Sequence, residues 1–272
     1  MLAPDATPEL GEREFVRLCT LFERHTGIRP RPDRKHLVAS RLLRRLRARR
    51  TSSYAEYVEL LGHPDERGEL MRAIDALTTH ETSFFREPSH FDFLDAHFAT
   101  LRRRELRLWS AACSTGEEVW TLAMVAASRL GLAGFTIDGT DVAPGVIETA
   151  KQGLYPLSRA SSIPGPLLKR WCLKGEGPWE GSFLVARELR ARARFHVANL
   201  CLPQAQLGSF DVILLRNVLF YFSPEQQQKV LRNVVARLVP GGLLLVGHCE
   251  RAQDVHPRLA LVEPSVYRLE PP

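Results

Sequence analysis

The sequence predicts an α/β domain with a mostly parallel sheet, preceded by a small all-helical unit and interrupted by a small β insertion. Three observations carry that reading. The first 75 or so residues show helical periodicity without strand patterns, strand-like and helix-like segments alternate after residue 105, and the stretch 158–198 breaks the alternation with glycine-rich turns.

In the helical unit, residues 11–26, 34–50, 53–62 and 66–77 carry helix patterns. The second holds eight Lys or Arg and no acid in a chain whose net charge is +6, so basic charge is concentrated there. Val38, Ala39, Leu42, Leu43 and Leu46 form its apolar stripe. Arg34, Arg41 and Arg45 line another face, with Arg44 beside them. Such a face is either simply solvated or a docking surface for an acidic helix or nucleic acid.

Beyond residue 105, 106–112 reads as a strand, 117–130 as a helix, 135–140 as a strand ending at Asp141, and 144–152 as a helix. Later, 210–215 and 242–246 read as strands around a helix over 224–238. Residues 259–262 and 265–269, joined through Glu263-Pro264, read as a closing antiparallel hairpin, which makes the sheet mixed. Inside the irregular stretch, 164–172 is helix-like. Gly175, Gly177 and Gly181 imitate a phosphate loop, but such a loop follows an apolar strand and opens a helix, which Pro178 and the β-like run after it do not allow. The runs 182–185 and 193–197 read as a small β-hairpin.

The chain has 272 residues, 44% apolar and 25% charged, a soluble globular balance with room for a large core. No apolar run reaches the roughly 18 residues that cross a bilayer. The opening residues carry neither a basic nor an apolar export region, so a cytoplasmic protein is expected. The five cysteines are scattered and form no C-x-x-C pair, which argues against a zinc site, and no metal is expected.

In an open α/β sheet, ligands lie beyond the carboxyl ends of the strands. Three segments end there. Residues 110–118 are small and lead into a helix, so backbone can approach a ligand closely. Asp141 ends the second strand, where nucleotide-binding folds hold ribose hydroxyls. Arg216-Asn217 interrupts the apolar run 212–222; burying them unpartnered costs more than roughly 1–3 kcal/mol, so a position facing a cleft is expected. Upstream, Phe84-Phe85-Arg86 is either a packed linker or the carrier of a cation into that cleft.

These segments together resemble the CheR-type chemotaxis methyltransferases. The matching stretches are Thr79-x-x-Thr82-x-Phe84-Phe85-Arg86, Trp109 through Glu118, Thr140-Asp141 with 150–155 after it, Arg216-Asn217-Val-x-x-Tyr221-Phe222, and 241–250 with His248 and Glu250. They run in the family's order over nearly the whole chain. The resemblance implies a Rossmann-like class I methyltransferase domain (96–272, with a β-subdomain inserted at about 160–194), a helical N-terminal domain (1–77) and a linker (78–95) contributing to the active site. It implies transfer of a methyl group from S-adenosylmethionine to glutamate side chains of chemoreceptors, leaving S-adenosylhomocysteine. Cofactor contacts are implied at His80, Thr82, Arg86, Glu118, Asp141, Asn199, Leu200, Arg216 and Asn217, with Arg86 and Tyr221 nearest the methyl. The basic helix, through Arg34, Arg41, Arg44 and Arg45, is implied to dock on the receptor's helical region, and the β-subdomain to take a receptor peptide tether. A monomer that neither binds nucleic acid nor enters a membrane is expected. His80 stands where asparagine is usual, Ala143 where a second acid often follows, and Cys249 where serine is common.

The chemistry suits the residues. A glutamate carboxylate, with an unperturbed pKa near 4.3, is already ionised at neutral pH and needs no general base. Two rivals have different signatures. Amino-directed nucleic-acid methyltransferases use an Asn/Asp-Pro-Pro-aromatic loop where this chain reads Arg216-Asn-Val-Leu. A non-catalytic signalling module would bind cofactor without transferring methyl.

Overall fold

Residues 8–101 and 105–272 are described by this computed structural model. The expectation that residues 1–7 carry no export signal falls outside them. The helical unit comprises α1 (Glu12–Thr26), α2 (Lys35–Arg49), α3 (Tyr54–Gly62) and α4 (Arg67–Leu77). Ser53 starts α3 by accepting the Glu56 N–H, one of the donors a helix start leaves unpaired. Val38, Leu42 and Leu46 of α2 bury against Phe15, Leu18 and Phe22 of α1, with Tyr54, Tyr57 and Ile74 closing the core. Gly27 ends α1 at φ +78°, and a Cβ there would meet Cys201 Sγ at 2.1 Å, so this stop also seats the unit against the sheet domain.

The second unit opens with α5 (Pro88–Thr100), β1 (Leu106–Ala111), α6 (Glu117–Leu130), β2 (Phe135–Asp141) and α7 (Pro144–Gln152). Next come β3 (Leu154–Pro156), α8 (Gly165–Trp171), β4 (Cys172–Lys174), β5 (Ser182–Val185), α9 (Arg187–Arg190) and β6 (Ala193–Val197). It closes with β7 (Phe210–Leu215), α10 (Pro224–Val235), β8 (Leu238–Val246), β9 (Leu259–Glu263) and β10 (Val266–Leu269). The large sheet runs β6-β2-β1-β7-β8-β10-β9. Its strands are parallel from β6 to β8, and β10 is antiparallel to both neighbours, so the sheet is mixed as expected. Strand β7 shows why its run is continuously apolar: Val212 and Leu214 face the core under α5 and α6, while Ile213 and Leu215 face the core under α10. Among the described residues, no helix is long and apolar enough to cross a membrane.

Four expectations are corrected. Residues 193–197 form no hairpin with 182–185; they are β6, the parallel edge neighbour of β2, with Gly139 paired to Phe195. The small sheet is β3-β5-β4, so the insertion begins at Leu154 and its last strand ends at Val185. A three-residue strand containing proline carries too little periodicity to read. Residues 88–95 are not linker: His90, Phe91, Leu94 and Phe98 give α5 a buried face, and the helix packs on α6. Finally, α10 stops at Val235 and β8 starts at Leu238, which pairs with Phe210 ahead of an irregular register at Val212.

Candidate active site

The strand order reverses between β1 and β7, and a cleft opens beyond their carboxyl ends, enclosing about 1130 Å³ including its mouth. The backbone around it is unusual. Phe85, Glu87, Ala112, Ser114 and Asn217 all have positive φ, between +50° and +67°, a conformation costing about 1 kcal/mol or more for each side chain. That strain turns the chain after β1, after β7 and in the connecting segment, so that polar groups face inward.

Asp141 lies at the end of β2, as expected. Its Oδ2 accepts the Ser114 N–H at 2.9 Å and its Oδ1 the Ala143 N–H at 3.1 Å. Burial pushes its pKa above the usual range, and these two donors with the neighbouring His80 offset only part of that. Glu118, in the first turn of α6, accepts Ser110 Oγ at 2.7 Å and Arg216 Nη1 at 2.9 Å. Burial pushes this carboxyl up as well, with the Arg216 charge a partial offset.

Arg216 is 4% exposed yet lines the cleft. Its guanidinium reaches Glu118, Glu87 Oε2 at 3.0 Å and the Arg86 carbonyl, and lies over the Phe91 ring at 5.3 Å. It builds the wall of the cleft by tying three segments together. Asn217 donates Nδ2 to Glu87 Oε1 at 2.9 Å, so the same carboxylate holds both members of the pair. For Glu87, burial is outweighed by the Asn217 hydrogen bond and the Arg216 charge, which leave its pKa below the usual range.

His80, Thr82, Arg86, Leu200 and Tyr221 also line the cleft. His80 Nε2 is hydrogen-bonded to Thr78 Oγ1 at 2.8 Å and the Asp75 carbonyl at 3.1 Å. Arg86 Nη1 donates to the Glu81 carbonyl at 2.8 Å, which steadies the fork at the mouth. Asn199 is the exception. Its side chain donates to the His25 carbonyl at 2.8 Å and accepts the Cys201 N–H at 2.9 Å, so it clasps α1 to the sheet domain outside the cleft.

Two of the four arginines expected to dock are held within the chain. Arg41 caps the end of α4 through the Leu77 and Thr78 carbonyls, and Arg45 forks onto buried Glu69. Arg44, Arg47 and Arg50 remain exposed, and Arg34 sits 3.9 Å from Asp33.

Sequence reading missed three contributions. Phe22, Thr26 and Ile28 bring the helical unit into the cleft wall, because α1 ends against the loop after β6. Glu87 sits beside the Arg86 already singled out, but Arg216 and Asn217, which hold it, are 129 and 130 residues away. Glu250 received no role. Glu87, His90 and His248 gather as metal ligands do, but the Glu87 carboxylate is already held by Arg216 and Asn217.

The donors and acceptors fit S-adenosylmethionine. The Asp141 carboxylate suits a ribose diol, and Glu118 and Glu87 share one guanidinium, Arg216, among the described residues, a charge balance that suits a cationic ligand.

Comparison with known proteins agrees. Residues 80–267 match the CheR methyltransferase SAM-binding domain, and residues 13–78 match the CheR methyltransferase all-alpha domain. The chain is 41% identical over 278 residues to chemotaxis protein methyltransferase 2 of Pseudomonas aeruginosa, spanning 97% of this chain and 99% of that one. It is 37% identical over 263 residues to the chemotaxis protein methyltransferase of Salmonella typhimurium, spanning 96% and 91%. The chain belongs to the CheR methyltransferase family, and its cofactor is S-adenosylmethionine.

Proposed function

We propose that this methyltransferase esterifies glutamate side-chain carboxylates of chemoreceptors. One observation carries the reading: the cleft that collects Asp141 and Glu118 also takes in the Arg86 fork and the Tyr221 ring. When bound, the cofactor supplies a methyl group activated by a sulfonium. Asp141, at the end of β2, and Glu118, in the first turn of α6, hold the cofactor. Arg86 orients the acceptor carboxylate through its donor fork, and Tyr221 fixes the acceptor oxygen from the opposite loop. No side chain has to remove a proton, because the acceptor arrives ionised. The hydrogen bonds of His80 to Thr78 and Asp75 suit a positioning role and no base is required of it. Opposite charges cancel during transfer, so walls that exclude water, such as Phe22, Ile28 and Phe222, favour the step.

Arg44, Arg47 and Arg50 form the exposed basic face that meets an acidic receptor helix on the cytoplasmic side. The β-subdomain suits an extended peptide: β4 is an edge of its sheet, and Leu173 and Trp179 nearby are 58% and 59% exposed.

Labelled S-adenosylmethionine incubated with receptor tests the reading. Label released as methanol in base supports an ester, and label that resists alkali overturns it. Arg86→Ala should lower the turnover number about 100-fold while binding of S-adenosylhomocysteine changes less than about threefold. Unchanged turnover removes Arg86 from the mechanism.

A further inference from the structure

We propose that Glu250 is a positioning residue for methyl transfer: its carboxylate holds the Asn217–Leu219 backbone in the one conformation that presents Tyr221 to the cleft. The inference rests on the reading of Tyr221 given above. Glu250 is 7% exposed and follows β8. Its Oε2 accepts the N–H groups of Asn217 at 2.7 Å and Gly247 at 2.8 Å, and its Oε1 those of Val218 at 2.8 Å and Leu219 at 2.7 Å. Three of the four donors are consecutive.

That arrangement is an anion nest. Asn217, at φ +57°, turns its N–H toward the same side as the next two, and the short 3-10 turn Leu219–Tyr221 begins there. Asparagine tolerates the left-handed region, and three N–H groups pointing at one place repel one another unless an anion sits among them. Glu250 is that anion. Gly247 makes the approach possible, since a Cβ there would meet Glu250 Oε2 at 2.7 Å and Asn217 Nδ2 at 2.8 Å. The loop so held carries Phe220 and Tyr221, whose rings lie 4.4 Å apart at the cleft. Glu250 itself is not among the residues lining the cleft, so it acts through the loop.

Two variants separate this role from general stabilisation. Glu250→Gln keeps the shape but turns an NH2 toward backbone donors; Glu250→Asp keeps the charge and shortens the reach. In the full-length Glu250→Gln protein, amides of 217–222 should lose protection from hydrogen exchange while those of β1 and β7 keep theirs. Turnover should fall about 10- to 100-fold, with binding of S-adenosylhomocysteine changed less than about fivefold and part of the loss recovered in Glu250→Asp. Added to Tyr221→Phe, Glu250→Gln should cost little more than Tyr221→Phe alone, because both act at one point. Unchanged exchange at 217–222, or losses that multiply in the double variant, overturns the proposal. The exchange measurement needs no substrate, so an alkali-resistant label would sink the ester reading while leaving the hold of Glu250 on its loop to be judged separately.

Discussion

Two carboxylates largely withdrawn from water, one in each unit, meet their charge in opposite ways. In the helical unit Glu69 has Arg45 at 2.5 Å and 2.9 Å, the Tyr57 hydroxyl at 2.8 Å and Arg72 at 3.8 Å. Burial alone would push its pKa up, but these partners outweigh it and leave it below the usual range. In the sheet unit Glu118 and Glu87 share one arginine among the described residues, and the Glu118 pKa stays above that range. One cluster is saturated and makes a fold. The other is short of positive charge beside a cleft, which disfavours the empty protein and favours a cationic ligand.

Removing the shared arginine breaks that contrast most severely. Arg216→Leu takes their guanidinium from two mostly buried carboxylates and should cost about 3–5 kcal/mol in denaturant unfolding, with cofactor binding lost. Arg216→Lys keeps a charge without the fork and should fall between it and wild type. A loss under 1 kcal/mol would mean that the cluster is wetter than its burial suggests.

Acid should expose the next difference. His90, 2% exposed, faces Arg216, Glu87 and His248, and burial followed by the Arg216 charge lowers its pKa from 6.5 to about 4. The unfolded chain therefore binds a proton between those values that the folded chain refuses. Stability should fall as pH drops through that window, by about 3 kcal/mol from this group. Comparing urea midpoints of wild type and His90→Gln from pH 7 to 4 isolates the effect; identical slopes would exclude it.

The saturated cluster should give the mildest response. Glu69→Ala leaves Arg45, whose side chain is 23% exposed, free to reach water, and should cost about 2 kcal/mol with cofactor affinity unchanged. A calorimetric change in affinity would show that the helical unit adjusts the cleft through α4 as well as walling it.

Much of this was legible in advance, and the failures share a cause. All four N-terminal helices lie within one residue of their expected bounds, because their apolar residues recur every three or four positions. Asp141 and Arg216-Asn217 were found because polar residues ending apolar strands have few places to go. The strand β6 was misassigned because a short edge strand has the same alternation whichever sheet it joins. Arg41 and Arg45 end on a carbonyl and a buried acid, which sequence does not announce because nothing local distinguishes such a guanidinium from one in water.

By itself the sequence determined the elements, the mixed sheet and the family, since hydrophobic period, turn chemistry and ordered motifs act over a few residues at a time. The tertiary structure alone decided which charges meet. Arg45 finds its acid 24 residues away, Arg216 its two at 98 and 129, and Glu250 closes on Leu219 across 31. The energy of a buried charge depends on what surrounds it in space, and chain order does not encode those neighbours locally.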